Sequence, residues 1–472
     1  MKKHLRTLLG ALCALCLLIG TVGVLSSCQT KIVSGVVSAQ INEDGELVLS
    51  YSDGSEQNLG VVVGSDGADG RDGVDGVDGK NGADGAAGEP GKDGANGKDG
   101  ANGQNGSMII TNDGNSIPAA TAKALRSAVS ILCEFTATRN SGYFPGMGSS
   151  RVEEYYSAGS GVIYWLDKNE GDAFIITNYH VVYDVDSDAA NGISEDISVY
   201  LYGSEIEGKA IKATYVGGSL YYDVAVLRVE DSEILRTSDA VAAETTDSDL
   251  VSVGDSAIAV GNAQGYGISA SAGVVSVDSE HITMTAADGI TSVTFRVMRV
   301  DTAVNSGNSG GGLYDAKGNL IGIVNAKIVD QRVENIGYAI PSDIVVSVAE
   351  NIIDYCWETN LSRVYRASLG VTVTALDSRS IYDATTGRIS VEETVAVYDV
   401  AAGSLTSGVL HVGDVLVNYT LNGKTTAITR RHQAIELMLD VRVGDTVTLC
   451  ILREGVEMTV SVTVKQIDLS AY

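Results

Sequence analysis

Residues 128–341 run as short apolar stretches rich in Val, Ile and Tyr, broken by Gly, Asn and Asp. Gly161–Trp165, Ala173–Thr177, Ile197–Tyr202, Val224–Val229, Ser256–Val260, Gly273–Val277, Val293–Val297 and Leu320–Val324 are of this kind. Short strands at regular spacing with glycine turns predict an all-β barrel or sandwich. Pro341-Ser342-Asp343 then opens a helix reaching about Tyr355. Ile344, Val345, Val348, Ile352 and Ile353 give it one apolar stripe. A second β-rich unit spans 367–467, with a helix over Arg431 to Leu439. Upstream, Ala119 to Ser127 reads as a short helix. Residues 31–63 alternate apolar and polar between Asp-Gly turns, which predicts a small β-hairpin element.

The N-terminus follows another pattern. Lys2, Lys3 and Arg6 precede an apolar run from Leu8 to Leu25, which ends in Leu25-Ser26-Ser27-Cys28. This is a secretory signal, and its last four residues resemble a bacterial lipobox. On that reading residues 1–27 are removed and Cys28 carries a lipid. An uncleaved membrane-spanning anchor is the other reading, since the run is long enough to cross a bilayer. The cysteine sits where the lipobox needs it, which favours the lipoprotein.

From Gly64 to Gly106 a glycine falls at every third position, fifteen in all. A triple helix has room only for hydrogen at its axis, so this spacing is that of collagen. The segment resembles bacterial collagen-like repeats. It has a single proline, Pro90, and Asp or Asn at most Y positions. A flexible acidic spacer therefore stands beside the trimeric stalk as an equal alternative. Residues 107–120 read as a polar linker.

The chain carries 60 Asp+Glu against 32 Lys+Arg, a net charge of −28. Such a surface repels nucleic acid and anionic lipid, so no nucleic-acid partner is expected and membrane attachment must be covalent or hydrophobic. Outside the signal and Cys28, only Cys133, Cys356 and Cys450 remain. They allow at most one bridge, so no disulfide framework holds the fold. They read as buried thiols. No cysteine–histidine cluster has zinc spacing, and neither metal nor cofactor is expected.

Three stretches carry chemistry. Thr177-Asn178-Tyr179-His180-Val181-Val182 follows an apolar strand. Tyr222-Asp223-Val224-Ala225-Val226-Leu227 places an acid before a buried strand. Asn305-Ser306-Gly307-Asn308-Ser309-Gly310-Gly311-Gly312-Leu313 is a glycine-rich loop. Each alone has an ordinary structural reading. Together they supply what a serine nucleophile needs: an imidazole to take its proton and a carboxylate to hold that imidazole. The glycines let the loop turn tightly and aim backbone N–H groups at one point, where an oxyanion would form.

These stretches resemble the HtrA/Deg family of trypsin-like serine proteases, over about residues 120–467. The resemblance implies a mainly β protein with a trypsin-like double antiparallel β-barrel and the site in the cleft between barrels. It implies His180 as general base, Asp223 as orienting acid and Ser309 as nucleophile. Gly307, Asn308 and Ser309 would form the oxyanion loop. Ala303 takes the place of trypsin's specificity acid, so the S1 pocket should accept an apolar side chain. Ile323, Val324, Asn325 and Ala326 match the strand that pairs with substrate. Gly312 departs from the family's usual proline or alanine. The C-terminal unit resembles a PDZ domain. Leu369, Gly370 and Val371 fit its carboxylate-binding loop, where N–H groups meet a peptide's C-terminus. Residues 376–393 are a polar insertion without counterpart.

The implied organisation is a signal over 1–27, a hairpin element over 28–63, the Gly-X-Y repeat over 64–106 and a linker over 107–120. A protease domain over 121–357 and a PDZ-like domain over 367–467 follow. The expected function is a lipid-anchored, extracytoplasmic endopeptidase, homotrimeric as its family commonly is, acting on unfolded or misfolded exported proteins. The alternative is a non-catalytic collagen-like adhesin or scaffold with a vestigial protease fold.

The lipobox reading makes a direct prediction. Wild type should incorporate labelled fatty acid and sediment with membranes, whereas Cys28→Ala should take up no label and be processed differently.

Overall fold

The computed structural model describes residues 36–41, 46–51, 55–61, 116–141, 149–205, 209–326, 336–357, 364–465 and 469–471. These fall in two units, divided at residues 100 and 101. The signal, Cys28 and the Gly-X-Y segment lie outside the described residues.

In the first unit, β1 (Val36–Ile41), β2 (Glu46–Tyr51) and β3 (Glu56–Val61) form an antiparallel meander. The expected hairpin element thus has a third strand.

The second unit opens with helix α1 (Ile117–Leu125), two residues earlier than the apolar pattern placed it. Ser116 caps it by accepting from Ala119 N, and Pro118 suits the first turn because no N–H is needed there. Strands β4 (Ala128–Ser141), β5 (Ser149–Asp167), β6 (Asp172–Thr177), β7 (Asp196–Leu201), β8 (Ile211–Ser219) and β9 (Val224–Val229) then close a barrel. Its order is β4-β5-β6-β9-β8-β7. Single-turn helices α2 (Tyr179–Val182) and α3 (Glu233–Thr237) lie within this stretch. A second barrel uses β10 (Ser256–Gly261), β11 (Ser269–Thr285), β12 (Ser292–Val300), β13 (Gly312–Tyr314), β14 (Leu320–Val324) and β15 (Gly337–Pro341). Its order, β10-β11-β12-β15-β14-β13, repeats that of the first. The mainly β, double-barrel architecture is therefore present. The expected strand Gly273–Val277 is the middle of the longer β11.

Burial follows the sequence pattern. β7 alternates because one face meets the core, and Ile197, Val199 and Leu201 point inward. β9 is apolar almost throughout because both its faces are covered. That makes the residue before β9, Asp223, a polar group at the edge of a dry interior.

After β15, helix α4 (Ser342–Ile352) buries Ile344, Val345, Val348 and Ile352, then widens into a π-helical turn over Ile353–Trp357. In the C-terminal part, β17 (Val371–Asp383), β18 (Arg388–Val400), β19 (Val415–Leu421), β21 (Thr446–Arg453) and β22 (Val456–Thr463) form one sheet. β20 (Lys424–Ala427) pairs with β19, and β16 (Tyr365–Ala367) pairs with β23 (Leu469–Ala471). Helix α5 (Arg431–Asp440) lies between β20 and β21 in the chain. The polar insertion 376–393 is the outer half of the β17–β18 hairpin, paired to its tip at Asp383 and Arg388.

Arginines join the C-terminal sheet to the barrels. Arg296 on β12 is only 2% exposed and forks onto Glu436 of α5, with Nε to Oε1 at 2.8 Å and Nη2 to Oε2 at 2.6 Å. Its Nη1 lies 3.3 Å from Asp249. Asp249 also takes His432 Nε2 at 3.0 Å and Gln433 Nε2 at 2.9 Å. Burial pushes the Asp249 carboxyl up, but the His432 hydrogen bond and the Arg296 charge prevail and hold it at about 2. Arg388, at the hairpin tip, reaches Leu250 O and Asp255. Beside this network sits Asp343, whose Oδ2 accepts from Ser248 Oγ at 2.5 Å. Burial, with the neighbouring Asp247 and Asp249 charges, pushes its carboxyl up to about 6.

A carboxyl raised above its unfolded value binds its proton more tightly in the folded state. Its stabilising contribution is complete below the unfolded value near 4 and is lost as pH rises through about 6. Urea unfolding of wild type and Asp343→Asn between pH 4.5 and 7.5 should therefore show the variant gaining relative stability as pH rises. A difference independent of pH would contradict this.

Candidate active site

His180 is carried on the single turn α2, directly after β6. Val181 and Val182 are buried and fasten the turn to the first barrel, while the imidazole stays partly open. Asp223, 5% exposed, precedes β9 with φ +52°, a left-handed conformation that short polar residues tolerate best. Asn178, the residue capping α2, donates from Nδ2 to Asp223 O at 2.8 Å and fastens that strained backbone.

The Asp223 carboxylate collects three donors. His180 N reaches Oδ1 at 3.0 Å, His180 Nδ1 reaches Oδ2 at 2.7 Å, and Asn325 Nδ2 reaches Oδ2 at 2.8 Å. A carboxylate can only accept, so Nδ1 carries a proton and donates it to Asp223. Nε2 is left as a base directed away from Asp223.

Ser309 lies in the loop between β12 and β13. Gly307 has φ +93° and Gly310 has φ +83°. A Cβ at Gly307 would collide with Asn262 O, and one at Gly310 with Ser160 O and Thr177 Oγ1. Only glycine meets both the conformation and the space. The loop is tied to β14 by Gly310 N to Val324 O at 3.0 Å and Val324 N to Gly311 O at 2.8 Å. Gly159 on β5 shows how close the two halves come. A Cβ there would sit 2.6 Å from Val181 and 3.3 Å from Ser309 O, so the turn bearing His180 and the backbone of Ser309 flank one point.

The strand expected to pair with substrate is built differently. Ile323 and Val324 are buried in the second barrel and already paired with β13 and β15. Asn325 is fully buried and turned to Asp223, with its own N–H on Tyr338 O at 2.9 Å. Of the four, only Ala326 is partly open. Ala303 is exposed, and its carbonyl accepts from Ser271 Oγ at 3.0 Å. The contributions of Asn178 and Asn325 were not anticipated. Asn178 stood in plain view two residues before His180, whereas nothing local marks Asn325.

In the C-terminal part, Gly370 has φ +68°, and its carbonyl accepts from Ala401 N at 2.8 Å. Leu369 and Val371 open onto a groove of about 110 Å³ that Leu410, Ile428 and Met438 also line.

Residues 159–323 match the model of the trypsin-like peptidase domain, and residues 61–111 match that of the collagen triple helix repeat. The serine protease Do-like HtrA of Lactococcus lactis subsp. cremoris is 32% identical over 374 residues, covering 75% of this chain and 84% of that protein. The chain belongs to the HtrA family of serine proteases. HtrA of Bacillus subtilis is likewise 32% identical, over 350 residues, 72% of this chain and 71% of that one. The periplasmic serine endoprotease DegP of Escherichia coli is 29% identical over 68% of this chain and 60% of its own length. Among solved structures, the HtrA-type protease AlgW with decapeptide is 23% identical over 75% of this chain and 98% of that chain, with a TM-score of 0.45.

This HtrA protein has, among the described residues, one carboxylate group able to ligate a metal: Asp247, Asp249 and Asp343. Asp249 and Asp343 are already served by His432, Gln433, Arg296 and Ser248. The protein's own donors meet the charge there, and no metal role is assigned.

Removing the Asn325 donor leaves the Asp223 carboxylate one hydrogen bond short in a buried place. Such bonds to charged groups are worth about 1.5–3 kcal/mol. Asn325→Leu should accordingly lower kcat by about 10-fold or more with KM little changed. Steady-state cleavage of a fluorogenic peptide measures both.

Proposed function

We propose that this HtrA-type serine endopeptidase cleaves peptide bonds with Ser309 as nucleophile, His180 as general base and Asp223 as the acid that orients it. The observation carrying this reading is the Asp223 carboxylate. Its acceptance from His180 Nδ1 leaves Nε2 as the free ring nitrogen, on a turn whose Val181 shares Gly159 as a close neighbour with the Ser309 carbonyl. Ser309 Oγ attacks the substrate carbonyl carbon while its proton passes to His180 Nε2. The carbonyl oxygen becomes an oxyanion facing the N–H groups of Gly307 and Ser309. When the intermediate collapses, the C–N bond breaks and the leaving amine takes the proton from His180. Water then repeats the sequence on the acyl-enzyme and returns Ser309 to its free form.

Substrates in this reading are unfolded or misfolded exported polypeptides. Ala303 leaves the S1 pocket without an acid, so apolar residues are taken there. The C-terminal sheet acts as a PDZ domain. Leu369 and Gly370 turn their loop toward a peptide's terminal carboxylate, and the apolar groove beyond takes its last side chain. The enzyme works outside the cytoplasm, as a trimer, held to the membrane by lipid on Cys28. Among the described residues no helix is long and apolar enough to cross a membrane. The domain boundaries are those given by the sequence. A non-catalytic adhesin is the competing reading. The joint presence of His180, Asp223 and Ser309, with the Asp223–His180 hydrogen bond formed, speaks against it.

Casein digestion decides between them. Ser309→Ala should lose about 10⁴-fold or more of the activity with unchanged circular dichroism. A fluorophosphonate should label wild type and spare the variant. Undiminished cleavage by Ser309→Ala would remove the assignment.

A further inference from the structure

Four successive carbonyls of the nucleophile loop are each held by a donor. Ser306 O accepts from Gln264 N at 2.7 Å, and Gly307 O from Ser160 Oγ at 2.7 Å. Asn308 O accepts from Gly311 N at 2.9 Å, and Ser309 O from Ser160 N at 2.8 Å. Two of these four donors belong to one residue, Ser160, fully buried on β5 of the first barrel.

The hydroxyl of Ser160 has its direction imposed. It accepts from Asn262 N at 2.7 Å. An amide N–H can only donate, so the hydroxyl proton must go elsewhere, and Gly307 O is the acceptor in reach. The result is a chain from Asn262 N–H through Ser160 Oγ–H to Gly307 O, each bond polarising the next. Asn262 is placed for this by the strand opposite. Ser130, the cross-strand partner of Ser160, accepts from Asn262 Nδ2 at 2.6 Å. Two neighbouring serines of the first barrel thus grip one residue of the second.

The consequence lies in the peptide planes. In a trans peptide the C=O and the following N–H point in opposite directions. Holding Ser306 O on Gln264 turns the Gly307 N–H to the other side. Holding Asn308 O on Gly311 does the same for the Ser309 N–H. Between these two planes lies the Gly307–Asn308 plane, flanked by a glycine with little conformational preference of its own. Its N–H is held within the loop by Asn305 O at 3.0 Å, and its carbonyl is held from the first barrel by Ser160.

We infer that Ser160 is a positioning residue of the protease. Its hydroxyl locks the peptide plane between the two N–H groups that receive the oxyanion. This rests on the reading of Ser309 as nucleophile. Ser160 touches neither substrate nor reacting atoms and acts through Gly307.

The test uses the full chain. Ser160→Ala should lower kcat on a fluorogenic peptide by about 10- to 100-fold, in line with losing part of an oxyanion donor. KM should stay within about twofold. A peptide aldehyde, which binds as a tetrahedral adduct, should weaken by the same factor as kcat/KM, whereas a cleaved product peptide should bind unchanged. Ser160→Thr keeps the hydroxyl and should recover most of the rate. If the alanine variant loses its cooperative thermal melt, Ser160→Cys, with similar volume and a weaker donor, is read in its place. A kcat within twofold of wild type, a loss confined to KM, or a threonine variant as impaired as alanine would overturn the inference. Failure of the nucleophile reading is separate, because Ser309→Ala would then stay active whatever Ser160 does.

Discussion

Asp223 places a carboxylate in a dry space between two barrels, and a carboxylate so placed must collect its own donors. Two come from His180 on the first barrel and one from Asn325 beyond the last residue of β14 on the second. The need to satisfy one charge therefore fixes the imidazole, its tautomer and the approach of the barrels together. Separating the barrels would strip that charge of a partner, so this is a strong local restraint on their alignment. Asn178 adds a further tie by holding the Asp223 backbone at its positive φ. In such a site, orientation is set by the cost of leaving a buried charge unpaired, more than by apolar packing, which is non-directional.

The sequence disclosed the parts of this arrangement whose chemistry is local. A glycine at positive φ, an acid before an apolar strand and a histidine closing one are visible because neighbouring residues constrain them. The repeated strand order of the barrels is also consistent with the even spacing of short apolar runs. What escaped depends on residues distant in the chain. Asn325 reaches Asp223 across 102 positions, and Ser160 reaches Gly307 across 147. The neighbours of Ser160 do not set it apart, and those of Asn325 point to substrate and not to Asp223. Ile323 and Val324 show the limit of a local match. Their stretch matches a substrate-pairing strand by resemblance, whereas in the fold it pairs with β13 and β15 inside the barrel.

The junction with the C-terminal sheet follows from scarcity of positive charge. The chain has 32 basic residues against 60 acidic ones. Four arginines nevertheless cross this boundary: Arg296 to Glu436, Arg388 to Asp255, Arg430 to Asp278 and Arg442 to Asp354. A guanidinium fork specifies direction as well as distance. The polar character of residues 376–393, which gave no function in the sequence, becomes intelligible here. The hairpin they form carries Arg388 out to the second barrel, and an apolar hairpin of that exposure would invite pairing with other chains.

One contact joins the two regions of interest. Arg366, on β16 and lining the apolar groove, places Nη1 3.3 Å from the hydroxyl of Tyr222, the residue before Asp223. Its Nη2 lies 3.4 Å from Ile435 O on α5. A single guanidinium thus spans the groove, the helix that walls it and the strand entrance that carries the buried acid. Asp223, the next residue, stands at φ +52° with its carbonyl held by Asn178 and its carboxylate by His180 and Asn325. One side chain and one peptide unit therefore lie between the edge of the groove and Asp223, whose carboxylate orients His180.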